Sequence, residues 1–218
     1  MSKQFDLIVW DWDGTLADST GMISHAIRNA AVTVGLPEIS LKAASSIIGL
    51  GLQEAIKALY GSISVEQAQA LAAQYRANYY AGANEIPLFE GAADTIVALS
   101  NQGVKLAVAT GKGRRGLNLS LENTGLGPHF QATRTVDECF SKPNPQMLHE
   151  LMADLDVSPE RTVMIGDTSY DLQMAQNAGV SSVGVTFGAQ QSEQWQHLNP
   201  IQRFNDFAAL SQWLLDRA

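Results

Sequence analysis

The chain has 218 residues, 45% of them hydrophobic, and a formal net charge of −8 at pH 7. A chain of this length can bury a large core, and the composition is that of a folded globular protein with one domain or two. The negative charge argues against nucleic acid as a partner, because nucleic-acid phosphates require a basic protein surface.

The first predicted element is a buried strand over Leu7–Trp10, and the motif Asp11-Trp12-Asp13-Gly14-Thr15 follows it directly. Successive strand residues point to opposite faces, but a turn at Gly14 breaks this alternation and lets both carboxylates converge beyond the strand end. Open α/β sheets bind ligands at this edge. For the motif taken alone, a polar Asp-Gly turn that leaves the core is the alternative interpretation.

Helical periodicity replaces the expected second strand from Ser19 to about Ala81. This stretch is rich in alanine and leucine, and turn residues interrupt it at Gly35-Leu36-Pro37, Gly49-Leu50-Gly51 and Gly61-Ser62. An all-helical segment therefore interrupts a βα pattern. We expect a helical cap domain at residues 18–84, inserted into a core domain formed by residues 1–17 and 85–218.

Strands alternate with helices in the rest of the chain. The predicted elements are a helix over Ala92–Asn101, strands over Val104–Ala109, Phe130–Thr133, Thr162–Ile165 and Ser182–Val185, and a closing helix over Phe207–Leu215. This alternation predicts an α/β fold with a doubly wound parallel sheet. Within the insert, Ser64 and Gln67 predict a capping box at the start of a helix over Val65–Tyr80.

Three later motifs complete the pattern that begins at Asp11. They are Ala107-Val108-Ala109-Thr110-Gly111-Lys112, Ser141-Lys142-Pro143, and the segment from Val163 through Gly166-Asp167 to Asp171. In two of them an apolar strand ends in a hydroxyl or carboxylate beside a glycine, and a helix follows. With all four motifs in this order, the chain resembles the haloacid dehalogenase superfamily, in the phosphatase branch with a small helical cap that includes the phosphoglycolate phosphatases. The resemblance covers nearly the whole chain.

The acids Asp11, Asp13, Asp167 and Asp171 predict a cation site. If they converge, each like-charged pair at ~4 Å costs roughly 4 kcal/mol at an effective dielectric constant near 20. Hard oxygen ligands without His or Cys favour Mg²⁺ over zinc. The resemblance implies that Asp11, the backbone carbonyl of Asp13 and Asp167 bind the metal, and that Asp171 acts mainly through bound water.

The resemblance also implies catalytic roles for four residues. Asp11 would be the nucleophile that forms an aspartyl-phosphate, and Asp13 would protonate the leaving alcohol and later activate water. Thr110 would donate its hydroxyl to the phosphoryl group, and Lys142 would place a positive charge beside that group and beside Asp11. Thr110 can also be the N-cap of the following helix, a use compatible with phosphate contact. For Asp171, an ordinary first-turn helix acid is the alternative.

Five glycine and threonine residues are further candidates for contact with the substrate or its phosphate: Gly14, Thr15, Gly111, Gly49 and Gly51. Gly49 and Gly51 lie in a loop ahead of a helix that begins near Leu52, and this loop resembles a substrate-facing loop of phosphoglycolate phosphatase-like caps. Glycine allows close backbone approach, and a helix N-terminus favours an anion. An ordinary turn between helices is the alternative interpretation.

Several charged residues have no assigned role in the motifs. Arg114 and Arg115 oppose the dipole of the helix that they begin, and they are either a solvated pair or a rim that steers a phosphorylated acid. Asp137 and Glu138 are predicted to be surface residues. Four residues of the insert are candidates for holding a substrate carboxylate: His25, Arg28, Lys42 and Lys57.

The function implied by the resemblance is Mg²⁺-dependent hydrolysis of a small phosphorylated metabolite, with phosphoglycolate as the first candidate. A phosphomutase, a phosphonate hydrolase with a Schiff-base lysine in the cap, and a non-enzymatic receiver-like phospho-binding module are the alternatives. A dehalogenase is disfavoured because it would need neither the acid and base at Asp13 nor the metal. The absence of membrane spans excludes a transporting ATPase.

The sequence also predicts the surroundings in which the protein works. Met1-Ser2-Lys3-Gln4 begins no targeting segment, and no stretch approaches the ~20 apolar residues of a membrane span. The single cysteine, Cys139, excludes an intramolecular disulfide and fits a reducing compartment. We expect a cytoplasmic monomer or homodimer whose partner is a small phosphorylated metabolite, with no nucleic-acid or membrane partner.

Overall fold

A six-stranded parallel sheet forms the centre of the computed structural model, which describes residues 4–83 and 86–218. Its strands are β1 (Leu7–Trp10), β2 (Lys105–Thr110), β3 (Ala132–Thr135), β4 (Thr162–Gly166), β5 (Ser181–Val185) and β6 (Gln202–Phe204). Across the sheet they follow the order β3-β2-β1-β4-β5-β6, and every neighbouring pair is parallel. The predicted doubly wound α/β fold is confirmed.

Nine α-helices accompany the sheet within the two described ranges. Four of them follow β1: α1 (Thr20–Thr33), α2 (Leu41–Ser46), α3 (Leu52–Tyr60) and α4 (Val65–Gly82). The other five alternate with the later strands: α5 (Ala92–Asn101), α6 (Arg114–Thr124), α7 (Gln146–Leu155), α8 (Ser169–Asn177) and α9 (Phe207–Leu215). The predicted bounds of α5 and α9 are confirmed. No described helix is long and apolar enough to cross a membrane.

The central strand β1 is buried on both faces. Ile8 and Trp10 belong to the apolar cluster that includes Ile96 of α5 and Leu210 of α9. Leu7 and Val9 belong to the opposite cluster, with residues of α7 and α8. Burial of each such side chain stabilises the fold by roughly 2 kcal/mol. Helices therefore cover both faces of the sheet, and polar residues that follow β1 can emerge only at its end.

We call α1–α4 the helical insert. Its helices pack on one another around an apolar cluster of their own, which includes Ile27, Ile56 and Leu71. At the start of α4, Ser64 and Gln67 form the predicted capping box, with backbone to side-chain distances of 3.1 and 3.2 Å. The segment Met1–Lys3 and the predicted cap boundary at Asn84 lie outside the described residues, so the division into domains stays a prediction.

The interpretation of Thr110 as a helix N-cap is wrong. Thr110 is the last residue of β2, and α6 begins only at Arg114 with Gly113 as its N-cap. The loop between them passes the helical insert so closely that a Cβ on Gly111 would lie 2.6 Å from the carbonyl oxygen of Gly49. The insert therefore occupies the space next to the end of β2, where the helix was expected to start.

Candidate active site

The sequence motifs meet at the carboxyl edge of the sheet. Asp11 follows β1, Thr110 ends β2 and Asp167 follows β4, and β1 lies between the other two strands. The backbone N–H of Asp11 donates to the carbonyl oxygen of Ile165 at 2.9 Å, which extends the ladder of hydrogen bonds beyond β1. The sheet itself thus fixes the position of the Asp11 side chain.

Three buried carboxylates lie close together at this edge, and two of them bind the same ammonium group. Oxygen atoms of Asp11, Asp167 and Asp171 lie within 4.8 Å of one another. Lys142 Nζ donates to Oδ1 of Asp11 and to Oδ1 of Asp171, at 2.6 Å in each case. Burial raises the pKa of Asp11 to about 7, against the opposing charge of Lys142. Burial also raises the pKa of Asp167, and the charge of Asp11 adds to this increase.

Asp167 is held by the turn that follows β1. Its carboxylate accepts hydrogen bonds from the Thr15 hydroxyl at 3.2 Å and from the backbone N–H of Ala189 at 2.6 Å. Gly14 lies against the same carboxylate at a φ of 85°, and a Cβ there would collide with it. Glycine is therefore required at residue 14 both by its backbone conformation and by lack of space. In this structure Gly14 and Thr15 contact Asp167.

Asp171 has two roles at once. Its Oδ2 accepts from the backbone N–H and the hydroxyl of Thr168, at 3.0 and 2.7 Å, and so closes a capping box at the start of α8. Its Oδ1 accepts from Lys142. Asp171 is thus the first-turn acid that the alternative interpretation described, and it is also part of the charged cluster.

The residues of this cluster fit a divalent metal ion. Oδ2 of Asp11 is buried and has no hydrogen-bond partner among the residues that the structure describes. Three carboxylates this close together, one of them with an oxygen that lacks a hydrogen-bond partner, concentrate negative charge that a hard cation neutralises. Lys142 neutralises only part of the negative charge of these three acids. Charge and donor type therefore both match a divalent cation that prefers oxygen.

Asp13 lies in a second group of polar side chains, which the sequence did not predict. Lys112 Nζ donates to both carboxylate oxygens of Asp13, at 2.7 and 2.8 Å, and lies 2.6 Å from the hydroxyl of Tyr79 on α4. The Ser19 hydroxyl donates to Asp13 at 2.6 Å. Burial acts to lower the pKa of Lys112, but the charge of Asp13 and these hydrogen bonds outweigh it and raise the pKa. Lys112 links the insert to Asp13.

A cavity of about 280 Å³ lies between the helical insert and the carboxyl edge of the sheet. Asp11, Asp13 and Thr110 line it from the sheet, and the loop residues Gly49 and Gly111 line it where insert and sheet meet. Gly51 is not among the lining residues. Its backbone N–H donates instead to the Ser141 hydroxyl at 2.8 Å, which ties the insert to the segment before Lys142.

The charged residues to which the motifs assign no role differ in their contacts. Arg114 pairs with Glu138 at 2.7 Å, and the carboxylate of Asp137 accepts from the backbone N–H of Arg114 at 2.6 Å. Arg115 lines the cavity, with its guanidinium carbon 4.8 Å from the ring centre of Tyr80. Four insert residues named above are not among the described residues that line the cavity: His25, Arg28, Lys42 and Lys57.

The chain is similar in sequence to known hydrolases and phosphatases. A family model described as haloacid dehalogenase-like hydrolase matches residues 8–185. The chain is 30% identical to "Probable phosphatase IndB" of Dickeya dadantii, over 96% of this chain and 94% of that protein. It is 31% identical to a phosphoglycolate phosphatase of Pseudomonas putida, over 94% of this chain and 78% of that protein.

A solved structure gives the same result for the fold. The crystal structure of a predicted phosphoglycolate phosphatase from Haemophilus somnus superposes with a TM-score of 0.84 at 27% sequence identity. The superposition covers 96% of this chain and 98% of that chain. The insert and the sheet therefore both have counterparts in one solved protein.

Proposed function

We propose that this chain, which belongs to the haloacid dehalogenase-like hydrolase family, hydrolyses the phosphate ester of a small metabolite through a covalent phosphoryl group on Asp11. The chain is a phosphatase of the phosphoglycolate phosphatase-like branch of that family. One observation supports the covalent mechanism most directly. Asp11 lines the cavity, and its Oδ2 is buried without a hydrogen-bond partner among the described residues.

The surroundings of Asp11 support its assignment as the nucleophile. Lys142 holds Oδ1, so Oδ2 is the oxygen left to attack phosphorus. In the first step the bond from Oδ2 to phosphorus forms, the bond from phosphorus to the leaving oxygen breaks, and Asp13 gives that oxygen a proton. In the second step water attacks phosphorus, its proton goes to Asp13, and inorganic phosphate leaves with Asp11 restored. Thr110, buried at the end of β2, donates its hydroxyl to a phosphoryl oxygen.

Magnesium would be held by Asp11, Asp167 and the backbone carbonyl of Asp13, and by Asp171 mainly through bound water. When bound, the ion neutralises negative charge shared by the carboxylates and the phosphoryl group. Gly14, Thr15 and the Thr168 capping box hold two of these carboxylates in place before any ion binds.

Removal of divalent metal is expected to lower the rate of phosphate release at least about 100-fold, because the clustered carboxylates would then repel the phosphoryl group. Addition of Mg²⁺ should restore the rate. The Asp167→Asn variant should need a higher Mg²⁺ concentration for half-maximal activity and should show a smaller thermal shift with Mg²⁺ in the absence of substrate. Full activity after exhaustive chelation would refute the metal assignment.

The Asp13→Asn variant is expected to slow both half-reactions, because an amide can neither protonate the leaving group nor accept a proton from water. With p-nitrophenyl phosphate, whose leaving group scarcely needs a proton, formation of the phospho-enzyme should be impaired less than with an alkyl phosphate. Mass spectrometry of acid-quenched protein should then detect phosphorylated chain during turnover of the activated ester. Equal losses for both esters, with no phosphorylated protein, would contradict the role of Asp13.

We propose that the helical insert is a cap domain, residues 18–84, which closes over the site. Contacts on three sides support this proposal: Tyr79 with Lys112, Gly51 with Ser141, and Ser45 with Ala189 at 3.1 Å. Closure of this kind excludes water and strengthens the electrostatic contacts inside.

The experiment that tests the proposed function is a screen of phosphorylated metabolites. Phosphate release is measured for each ester with Mg²⁺ present and after chelation, and kcat/KM is compared across the panel. We expect Mg²⁺-dependent hydrolysis of at least one small monoester. Absence of hydrolysis for every ester would contradict the proposed function.

A further inference from the structure

The wall that the helical insert contributes to the cavity is apolar and aromatic. Its aliphatic members are Ile23, Ile27, Ile47, Ile48, Leu50, Leu52 and Ala55. Within the described ranges, Arg76 is the one charged residue of the insert that lines the cavity. The part of a substrate that lies beyond the phosphate therefore meets hydrocarbon on the side of the insert.

Three tyrosines on one face of α4 complete this wall. The ring centres of Tyr75 and Tyr79 are 6.0 Å apart, and those of Tyr79 and Tyr80 are 5.7 Å apart. The guanidinium of Arg115 covers the ring of Tyr80 from the sheet side. Lys112 Nζ lies over the ring of Tyr79, 4.7 Å from its centre, so a flat ligand can pack against the parts of the tyrosine rings that Lys112 and Arg115 leave uncovered.

The cavity is larger than a two-carbon acid phosphate needs, and its wall on the side of the insert is largely apolar. A water-sized site takes roughly 10–15 Å³ by this measure of volume, so the cavity holds on the order of 20 such sites. A carboxylate against the isoleucine and leucine wall would lose its hydration without a hydrogen bond in return. Arg76 and Arg115 are exposed residues at the solvent side, and Asp137 adds a negative charge to the lining.

Gly116 lines the cavity on the side opposite the tyrosines and adds no side chain to it. It lies in the first turn of α6, where glycine is less favourable than alanine, though by less than the roughly 1 kcal/mol of a helix interior. Neither a positive φ nor a close contact requires glycine at this position, because an added Cβ would meet only the Tyr80 hydroxyl at 3.8 Å. The missing side chain instead leaves the cavity open opposite the tyrosines.

We propose that the substrate is a phosphate monoester whose alcohol carries a planar aromatic ring, which lies between the tyrosine face of α4 and the α6 surface around Gly116. This inference rests on the proposed phosphatase function and names the substrate class of the same site. It replaces phosphoglycolate, which has no ring, as the first candidate. The ring belongs either to a nucleobase or to an aryl or heteroaryl group.

The test compares kcat/KM of the Mg²⁺-supplied enzyme on three sets of esters. Phosphoglycolate and glycerol phosphate are the small aliphatic set, AMP and UMP the nucleobase set, and pyridoxal 5′-phosphate and phosphotyrosine the aryl and heteroaryl set. We expect at least one ring-bearing ester to exceed both aliphatic esters by about 100-fold, and the set that contains it identifies the source of the ring. Faster hydrolysis of phosphoglycolate than of every ring-bearing ester would overturn the inference.

The Gly116→Leu variant tests the location of the ring. An added Cβ at this residue meets only the Tyr80 hydroxyl, at 3.8 Å, and the rest of a leucine side chain takes up space beside the tyrosines. The ratio of kcat/KM between the preferred ring-bearing ester and glycerol phosphate should therefore fall at least about 10-fold. Gly21→Leu is the matched control, because Gly21 is an exposed helical glycine of α1 with nothing within 4 Å of an added Cβ. An unchanged ratio in folded Gly116→Leu protein would contradict the placement of the ring.

Equilibrium binding separates this inference from the proposed function. Calorimetry on the Asp11→Asn variant with Mg²⁺ measures affinity without turnover, and the ring-bearing esters should bind at least about 10-fold more tightly than phosphoglycolate. If no ester is hydrolysed but this order of affinities holds, the proposed function fails while the placement of an aromatic ring in the cavity stands. Equal or reversed affinities would overturn the inference even if the enzyme is an active phosphatase.

Discussion

The Asp11→Asn variant is expected to lose at least about 10⁴-fold in kcat while it keeps the native fold. The amide has no negatively charged oxygen to attack phosphorus, so the covalent step cannot begin. The substitution is nearly isosteric, and it removes one negative charge from a group of three carboxylates within 4.8 Å. In chelator the variant should therefore unfold at a temperature equal to or above that of the parent protein.

The measurement is the steady-state rate on the preferred ester, together with thermal unfolding monitored by circular dichroism. Asp94→Asn is a suitable control, since Asp94 is an exposed first-turn acid of α5. It should keep the parental rate. Near-normal turnover by purified, sequence-verified Asp11→Asn protein would end the covalent mechanism.

The Lys142→Met variant is expected to lower kcat by about 10³-fold and to lower the free energy of unfolding in chelator by about 3 kcal/mol or more. The fully buried ammonium group donates to both Asp11 and Asp171, and methionine fills much of the same space without charge. Two carboxylates would lose their common partner, and Oδ1 of Asp11 would no longer be held. Both kcat and the free energy of unfolding should therefore decrease.

Mg²⁺ separates these two effects. Added ion should recover part of the lost stability, because it neutralises the same carboxylates, but it should not restore the rate. Denaturant titration with and without Mg²⁺ measures the first effect, and phosphate release measures the second. Lys57→Met, on the exposed side of α3, is the control. A variant as stable as the parent in chelator would show that Lys142 is not needed to balance the acids.

Much of the fold could be predicted because its elements carry strong local signals. The buried run Leu7–Trp10 forms β1 with the predicted bounds, and the Ser64 capping box begins α4 as expected. The edge strand β6 was missed because Gln202-Arg203-Phe204 is short and largely polar. β3 begins at Ala132 and not at Phe130, whose ring packs beside Trp12 in the core. The prediction took the apolar Phe130 as the start of the strand, and it therefore began β3 two residues too early.

The residues of the candidate site that lie at the ends of strands could be predicted, because each of them belongs to a local sequence motif. Lys112 stands next to the predicted Thr110-Gly111 pair, but no local signal shows that its side chain turns back to Asp13. Tyr79, which meets Lys112 from α4, depends on how the helical insert docks. Contacts of this kind follow from packing between distant segments, and periodicity carries no information about them.

The strand order also has a consequence for synthesis on the ribosome. β1 pairs with β4 on one side, and Leu7 lies opposite Thr162 there, about 150 residues later in the chain. At 5–20 residues per second, β1 emerges roughly 8–30 s before that partner. During this interval the nascent chain exposes one unpaired edge of an apolar strand, and such an edge can pair with another chain. The helices of the insert emerge in the same interval. They pack around an apolar cluster of their own, so their packing does not require β4 to be present.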